Sequence, residues 1–208
     1  MPSAKDYESK PLPFAGTLTG ISQKTIAIHH DKLYAGYVNK MKEVAAALEA
    51  ASKDETILDG SNQSYSTLRA LRDGETFATN GVYLHEHYFN VLGGDGKSSG
   101  SLVAAIEKKW GSLETFVKFF SATGMAMRGW VVLCWDTHLG RLKIYGADVH
   151  NQGGVWGCIP LIVLDVYEHA YFIDYGADRK AYIADFWKNL NWEAADKVFR
   201  KASDVSFA

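Results

Sequence analysis

Few features of this sequence suit a disulfide-bonded, membrane-spanning or nucleic-acid-binding protein. Its 208 residues include only two cysteines, Cys134 and Cys158, which form neither a disulfide framework nor a CxxC pair. No apolar run approaches the ~20 residues that a membrane helix needs, and the polar start, MPSAKDYESKPLPF, lacks the apolar segment of a signal peptide. The formal net charge of -2 gives no general attraction to nucleic acid. We therefore expect a cytoplasmic protein with no membrane or nucleic-acid partner.

What the sequence does have is the composition of a globular protein with a substantial core. Hydrophobic residues make up 47% and charged residues 22%, with both signs interspersed. After the candidate N-cap Ser22, apolar residues and a histidine recur every three or four positions, which predicts a long helix with one buried stripe. The stripe comprises Ile26, His29, Leu33, Tyr37, Met41, Val44 and Leu48.

A change of pattern divides the chain into two halves. A polar stretch near 52–64 ends the first helix, and a second helical region runs over 65–92 with a break at Gly74. The glycine-rich segment 93–100 then predicts a flexible loop. We therefore predict two domains, residues 1–93 and residues 94–208.

The second half predicts an α+β arrangement. Short helical patterns at 101–110 and 112–124 precede an apolar run, Trp130–Trp135, and an alternating run, Arg141–Ala147. A turn joins these two runs, and the pattern is typical of a β-hairpin. A third strand, Ile159–Leu164, is apolar enough to be buried on both faces. Helices are predicted over 166–188 and 193–202.

Several histidines are candidates for a metal site. His29 and His30 both fall on the stripe of the first helix, so periodicity does not choose between them. His85 and His87 lie about 200° apart on the second helix, so only one of them can face a given point; the neighbouring residues favour His85 weakly. A single histidine on such a face is by default a hydrogen-bonded core residue.

Asp165 is more informative, because it ends a run of six uncharged residues where an unpaired carboxylate is costly. His169 follows four residues later, and the spacing fits either a structural Asp–His pair or a shared metal. Three imidazoles and one carboxylate suit zinc, iron or manganese. The lack of nearby thiol motifs argues against a structural zinc site or an iron–sulfur cluster. The HEH at 85–87 is not the HExxH of zinc proteases, because Phe89 occupies the position of the second histidine.

These residues lie in motifs that resemble those of iron/manganese superoxide dismutases. The segment 165–171, DVYEHAY, closely resembles the family signature D-x-W-E-H-A-Y. HHDK at 29–32, with Tyr37 beyond, is similar to H-x-x-K-x-x-x-x-Y on the family's first helix, and 80–89 resembles its second ligand helix. The resemblance spans nearly the whole chain. It implies an N-terminal helical hairpin domain followed by an α/β domain with a three-stranded antiparallel sheet.

The resemblance also implies an activity and a cofactor. The expected enzyme is a superoxide dismutase that converts superoxide to dioxygen and hydrogen peroxide by one-electron cycling of one iron or manganese ion per subunit. The implied ligands are His29, His85, Asp165 and His169. The ligands are the same for either metal, so the metal itself is not predicted. A homodimer is implied, and the sequence leaves open whether dimers pair into tetramers.

Further roles follow from the same resemblance. Tyr37 is the expected gateway residue of the substrate channel, and Tyr37 and His30 are expected to exclude larger anions. His150 is expected to hydrogen-bond the solvent molecule on the metal, with Gln152 as the alternative, because the helix position that carries Gln in some members is a glycine here. The remaining expected contacts are those of Trp130 and Tyr167 with the pocket and of Glu168 with the partner subunit's His169.

Two departures from the family pattern stand near the expected channel. Leu33 and Phe172 replace a His and a Tyr that usually bond each other across the dimer interface. Both replacements are apolar, so neither leaves an unsatisfied polar partner, and the usual proton-delivery route through this pair is absent. The alternatives that remain are a non-catalytic, metal-binding dimeric relative and another mononuclear non-heme iron enzyme.

Overall fold

Two long helices make up most of the first half of the chain in this computed structural model, which describes residues 6–205 and 207. The predicted N-cap is confirmed, because the Ser22 hydroxyl accepts a hydrogen bond from the backbone of Thr25. Part of the predicted break at 52–64 is itself helical. The elements are α1 (Gln23–Ile28), a π-helical turn (His29–Tyr34), α2 (Ala35–Ala51), a short α3 (Glu55–Asp59) and α4 (Thr67–Asn90).

The π-helical turn changes which residues of the first helix face the core. The predicted stripe ran from His29 to Leu33 and Tyr37, but the buried residues after His29 are Tyr34 and Val38. A π turn contains one residue more than an α turn, so the buried face moves by one position. The prediction is therefore wrong at Leu33 and Tyr37, which are only partly buried. This shift leaves Tyr37 beside the core rather than inside it.

Helix α4 runs without interruption through Gly74, so the predicted break there is wrong. A Cβ added at Gly74 would meet only Val44 Cγ2, at 3.8 Å, so the site has room for a side chain. An isolated glycine costs a helix about 1 kcal/mol relative to alanine. The packing of α4 against α2 outweighs that cost.

The second half consists of two helices, an antiparallel sheet and three further helices, as the α+β prediction requires. The predicted strands are confirmed to within about two residues. The elements are α5 (Ser101–Trp110), α6 (Leu113–Ala126), β1 (Trp130–Asp136), β2 (Arg141–Ala147), β3 (Cys158–Asp165), α7 (Phe172–Tyr175), α8 (Arg179–Lys188) and α9 (Trp192–Ala202).

The sheet has the order β2-β1-β3, with β1 in the centre and both neighbours antiparallel to it. All of β1 except Trp135 is buried. The pairing places Trp130, the first residue of β1, opposite Asp165, the last residue of β3. Their side chains therefore meet at the same end of the sheet, which is the end that faces α4.

The chain after β3 is not the single helix predicted over 166–188. A 3₁₀ turn spans Glu168–Ala170, α7 has only four residues, and Gly176, at a φ of +55°, follows it. Glycine adopts positive φ without the steric cost of a Cβ. The apolar residues of two short helices had produced the appearance of one long periodic segment.

One hydrophobic cluster joins the long helices to the sheet and to α6, α8 and α9. Its largest fully buried side chains include Trp130, Phe116, Phe120 and Phe186. Each stabilises the fold by roughly 1.5–3 kcal/mol relative to an exposed position. Among the residues that the structure describes, no helix combines the length and hydropathy needed to cross a membrane.

Candidate metal centre

Four side chains converge between the helical hairpin and the sheet. His29 comes from the π-helical turn, His85 from α4, Asp165 from the end of β3 and His169 from the 3₁₀ turn. One donor atom from each lies within 4.8 Å of the others. Asp165 Oδ2 is 3.1 Å from His29 Nε2, 3.1 Å from His169 Nε2 and 3.7 Å from His85 Nε2. The structure thus brings together all four predicted ligands.

Local structure explains how Asp165 and His169 reach one point. The second carboxylate oxygen of Asp165, Oδ1, accepts a hydrogen bond from the backbone of Tyr167 at 2.9 Å, which fixes the side chain just beyond the strand. The 3₁₀ turn then brings His169 back over the strand end. A spacing of four residues therefore puts both side chains on one centre without a regular helix.

The hydrogen bonds of His85 leave one nitrogen available to a metal. Its Nδ1 contacts the carbonyl of Gly81, one helical turn earlier, at hydrogen-bond distance. A carbonyl only accepts, so Nδ1 carries the proton and Nε2 presents a lone pair. Within the described part of the chain, His85 Nε2 is buried without a hydrogen-bond partner. Burial and the neighbouring His29 lower the pKa of His85 to about 3, so the ring is neutral at pH 7.

The charge state of the cluster also suits a cation. Burial alone raises the pKa of Asp165, but His169 and His29 outweigh burial and hold that pKa well below its usual range. Burial lowers the pKa of His29. The result is an ionised carboxylate beside two buried imidazoles and the partly exposed His169, and a metal ion takes the place of the protons shared by such groups. Three imidazole nitrogens and one carboxylate oxygen fit iron, manganese or zinc.

His150 lies next to this cluster, and its orientation is fixed by Trp130. The Trp130 indole Nε1 donates to His150 Nδ1 at 2.9 Å, and both side chains are buried. The His150 ring lies 4.6 Å from Tyr37 and 5.9 Å from His85 between centroids. Burial lowers the pKa of His150 to about 4. Gln152, the alternative to His150, is exposed on the loop that precedes β3.

The other predicted pocket residues surround the ligands. The Trp130 ring centroid is 5.1 Å from that of His85, and the Tyr167 ring stacks on His169 at 5.2 Å. A Cβ at Gly81 would fall 2.8 Å from Tyr37 Cδ1, so the position of the Tyr37 ring requires glycine there.

His30 lies near the centre but outside the ligand set. Its Nε2 is 2.8 Å from the carbonyl of Lys10, and its ring centroid is 5.3 Å from that of Phe89. The N-terminal arm therefore covers one side of His30, which is consistent with a position at the edge of the site.

Sequence reasoning missed Glu86, which follows the ligand His85. Its carboxylate accepts hydrogen bonds from Tyr7 at 2.6 Å, Lys10 at 2.5 Å and Tyr34 at 2.9 Å, and so ties the N-terminal arm to both ligand helices. The only signal for Glu86 in the sequence is a charged residue beside a ligand, and neither the periodicity nor the motif resemblance assigns it a role.

Three further residues of interest lie at the surface. Glu168 is exposed, Phe172 is 55% exposed, and Leu33 is partly buried. An exposed phenylalanine beside an exposed glutamate, both within three residues of His169, leaves apolar surface uncovered next to the metal centre.

Comparison with known proteins covers nearly the whole chain. Residues 6–93 match the family model described as iron/manganese superoxide dismutases, alpha-hairpin domain, and residues 98–198 match the C-terminal domain of the same family. The chain is 43% identical to an iron superoxide dismutase of Aquifex pyrophilus over 189 residues, which is 89% of this chain and 87% of that protein. It is 38% identical to the iron enzyme of Cupriavidus metallidurans over 94% of this chain and 98% of that protein. It is 33% identical to a manganese enzyme of Halobacterium salinarum over 96% of this chain and 98% of that protein.

Proposed function

Because this chain belongs to the iron/manganese superoxide dismutase family, we infer that its four converging side chains hold one iron or manganese ion and that it converts superoxide to dioxygen and hydrogen peroxide. The observation that carries this inference is the buried cluster of His29, His85, Asp165 and His169, with donor atoms within 4.8 Å of one another. The unpartnered Nε2 of His85 points to a bound cation rather than to a self-sufficient hydrogen-bond network.

An iron or manganese ion held by His29, His85, Asp165 and His169 would supply the one-electron chemistry of the reaction. The protein residues hold and enclose it. Asp165 contributes one negative charge, which offsets part of the charge of the ion in a site of low dielectric. His29, His85 and Asp165 are fully buried, so these three side chains are out of contact with bulk water.

His150 is proposed to hold a proton that faces the centre. Its Nδ1 accepts from Trp130, so the proton of the neutral ring resides on Nε2, which is therefore a donor. Donors placed beyond the ligands tune both the potential of a metal and the acidity of solvent near it. The exposure of Gln152 supports His150 as the residue in this role.

Tyr37 is proposed as the gateway residue, together with His30. The Tyr37 ring packs against both His150 and His85, at 4.6 Å and 5.4 Å between centroids. Burial and the charge of Asp165 raise the pKa of Tyr37, so its hydroxyl stays protonated and can donate to an anion. A small anion such as superoxide fits beside these rings more readily than a larger one.

A homodimer is proposed through the surface around Glu168. This surface carries the exposed Phe172 close to His169, and apolar area of this kind is commonly covered by a partner. Glu168 is proposed to reach the partner subunit's His169. Light scattering of the wild type and of Glu168→Ala tests this: we expect a dimer for the wild type and a larger monomer fraction for the variant. A monomeric wild type would refute it.

The metal and the activity are tested together by elemental analysis of the purified protein and by superoxide assays after reconstitution with iron or with manganese. We expect about one ion per chain and activity with at least one of the two metals. Loaded protein without activity would favour the non-catalytic relative, which the loss of the usual polar pair at Leu33 and Phe172 makes worth testing. Dependence on a cosubstrate would favour another non-heme iron enzyme.

Two further proposals concern the domain boundary and the cellular location. We propose that the chain divides after residue 93, which limited proteolysis within 93–100 tests. The cytoplasmic location stays a prediction, which fractionation of cells and immunodetection would check.

A further inference from the structure

Three tyrosines, which we call the tyrosine chain, connect the metal centre with the surface: Tyr88, Tyr182 and Tyr175. The Tyr88 ring centroid is 5.2 Å from that of His29, and its hydroxyl oxygen is 3.1 Å from that of Tyr182. Tyr182 is fully buried, and its ring centroid is 5.8 Å from that of Tyr175. Each side chain therefore contacts the next one, from the ligand His29 outwards, with the step from Tyr88 to Tyr182 made by the two hydroxyl groups.

The outer end of the tyrosine chain is paired with a base. The Tyr175 hydroxyl donates to Asp185 Oδ2 at 2.9 Å, and Lys188 holds the other oxygen of that carboxylate at 2.6 Å. A Cβ on Gly20 would overlap the Tyr175 hydroxyl oxygen, so the backbone of Gly20 lies directly over this pair. The carboxylate is placed to take the phenolic proton when Tyr175 loses an electron.

The inner members of the tyrosine chain lack such a base. Tyr182 donates to the backbone carbonyl of Asp165 at 2.7 Å, and among the described residues the hydrogen-bond partner of the Tyr88 hydroxyl is the hydroxyl of Tyr182. Neither a backbone carbonyl nor a tyrosine hydroxyl can hold an additional proton at neutral pH, so neither can accept the phenolic proton that oxidation releases. An oxidised Tyr88 or Tyr182 is therefore less stable than an oxidised Tyr175. The site of oxidation thus shifts from the inner tyrosines to Tyr175 as an electron passes inwards.

A fourth tyrosine, Tyr171, provides an internal contrast. Its ring centroid is 5.3 Å from that of Tyr182, about as near as Tyr175. Its hydroxyl, however, accepts from Arg179 Nε at 3.1 Å, and the guanidinium carbon lies 5.6 Å from the ring centroid. A positive charge opposes removal of an electron, and no base faces this hydroxyl in the described part of the chain. Distance from Tyr182 alone does not decide which of Tyr171 and Tyr175 is oxidised. Their hydrogen-bond partners favour Tyr175, which faces a carboxylate, over Tyr171, which faces a guanidinium.

We propose that the tyrosine chain draws oxidising equivalents away from the ligand histidines when hydrogen peroxide oxidises the centre. The proposal rests on the proposed function, whose product is that peroxide. One electron leaves Tyr175 and reaches the centre through Tyr182 and Tyr88, while the phenolic proton passes to Asp185. Two such events, with their two protons, reduce one hydrogen peroxide to two waters. Each tyrosyl radical then takes a hydrogen atom from a small thiol, which becomes a thiyl radical.

The test challenges the iron-loaded enzyme with hydrogen peroxide in the presence of a nitroso spin trap and locates adducts by peptide mass spectrometry. We expect the trap on Tyr175 in the wild type. Tyr175→Phe loses this adduct and shows several-fold more oxidation of the peptides that carry His29, His85 and His169. Tyr171→Phe is the matched control, and its adduct pattern equals that of the wild type.

A second variant guards against misfolding as the explanation. Asp185→Asn keeps Tyr175 but removes the base, and we expect its adduct yield to fall several-fold while dismutase activity before the challenge is unchanged. Oxidation of the ligand peptides at the wild-type level in Tyr175→Phe, a Tyr175 adduct at the wild-type level in Asp185→Asn, or loss of the Tyr175 adduct in Tyr171→Phe would overturn the proposal. An inactive wild type refutes the proposed function, whereas an active wild type without a Tyr175 adduct refutes the tyrosine chain alone.

Discussion

Replacing Trp130 with phenylalanine should disturb the metal centre through His150, although Trp130 binds no metal itself. The indole Nε1 donates to His150 Nδ1 at 2.9 Å in a fully buried setting. Phenylalanine has no donor, so His150 Nδ1 loses its partner. That loss costs about 1–3 kcal/mol, and the space left by the smaller ring costs about 1–2 kcal/mol. We therefore expect Trp130→Phe to lower the free energy of unfolding by about 2–5 kcal/mol.

The more specific effect concerns the position of the proton on His150. The indole bond favours the tautomer with the proton on Nε2, and a bond of about 1 kcal/mol corresponds to roughly a five-fold change in the tautomer ratio. In Trp130→Phe we expect part of the His150 population to move its proton to Nδ1. The residue then presents an acceptor in place of a donor, so the midpoint potential of the bound metal changes. Nitrogen NMR of labelled histidine and a redox titration measure the two effects.

Trp192→Phe is the matched control, since Trp192 is also buried but stacks on Trp187 in another part of the core. It should lose stability without a change in the His150 tautomer or in the metal potential. The reasoning fails if Trp130→Phe keeps the proton on Nε2 and the wild-type potential, as the control is expected to do.

Three further predictions address other parts of the structure. His169→Ala should abolish metal binding and activity, and one full metal ion per chain in that variant would count against the ligand assignment. Gly81→Ala should push the Tyr37 ring aside, since a Cβ would lie 2.8 Å from it, and cost about 1–3 kcal/mol of stability; Gly74→Ala, in the same helix with 3.8 Å of room, should instead stabilise by about 0.4–1 kcal/mol. Thermal unfolding and activity of the two glycine variants measure the contrast, which disappears if steric room does not matter. Burial opposes ionisation of Asp196, but the first backbone amides of α5 and Ser101 outweigh burial and lower the pKa of Asp196. Its stabilising effect is therefore present above the unfolded pKa of ~3.9 and lost as pH falls through the lower folded value, so Asp196→Asn should cost about 0.5–2 kcal/mol at pH 7 and progressively less in acid. A cost independent of pH would show that the charge of Asp196 is unimportant.

Much of the fold follows from local patterns in the sequence. The hairpin β1–β2 alternates and turns as a hairpin does, and the predicted bounds of β2 and α5 agree with the structure. These elements depend on contacts near in sequence, so periodicity is a good guide to them.

Errors arose where one extra residue or one tertiary contact decides the geometry. The stripe of the first helix fails after His29 because no local signal marks a π turn. The segment after Asp165 looks helical, but the bond from the Tyr167 backbone to the Asp165 carboxylate holds its start in another conformation. Gly74 looked like a break, yet packing against α2 keeps α4 whole.

For the site, spacing alone left His29 and His30 equivalent, and only the motif resemblance separated them. The bond from Trp130 that orients His150 joins residues 20 positions apart and has no sequence signature. Glu86 was missed for a similar reason, because its partners lie as many as 79 positions away.

The burial of the ligands has a consequence for how the protein acquires its metal. His29 and Asp165 are 136 positions apart and inaccessible to solvent in the folded chain, as is His85. Three of the four ligands are thus closed to solvent and only His169 is partly exposed, so exchange of a bound ion after folding should be slow. A metal bound during folding should therefore be retained, and its binding free energy offsets the entropy cost of bringing these remote segments together. We therefore expect the choice between iron and manganese to depend on cellular supply at the time of folding as well as on the donor atoms.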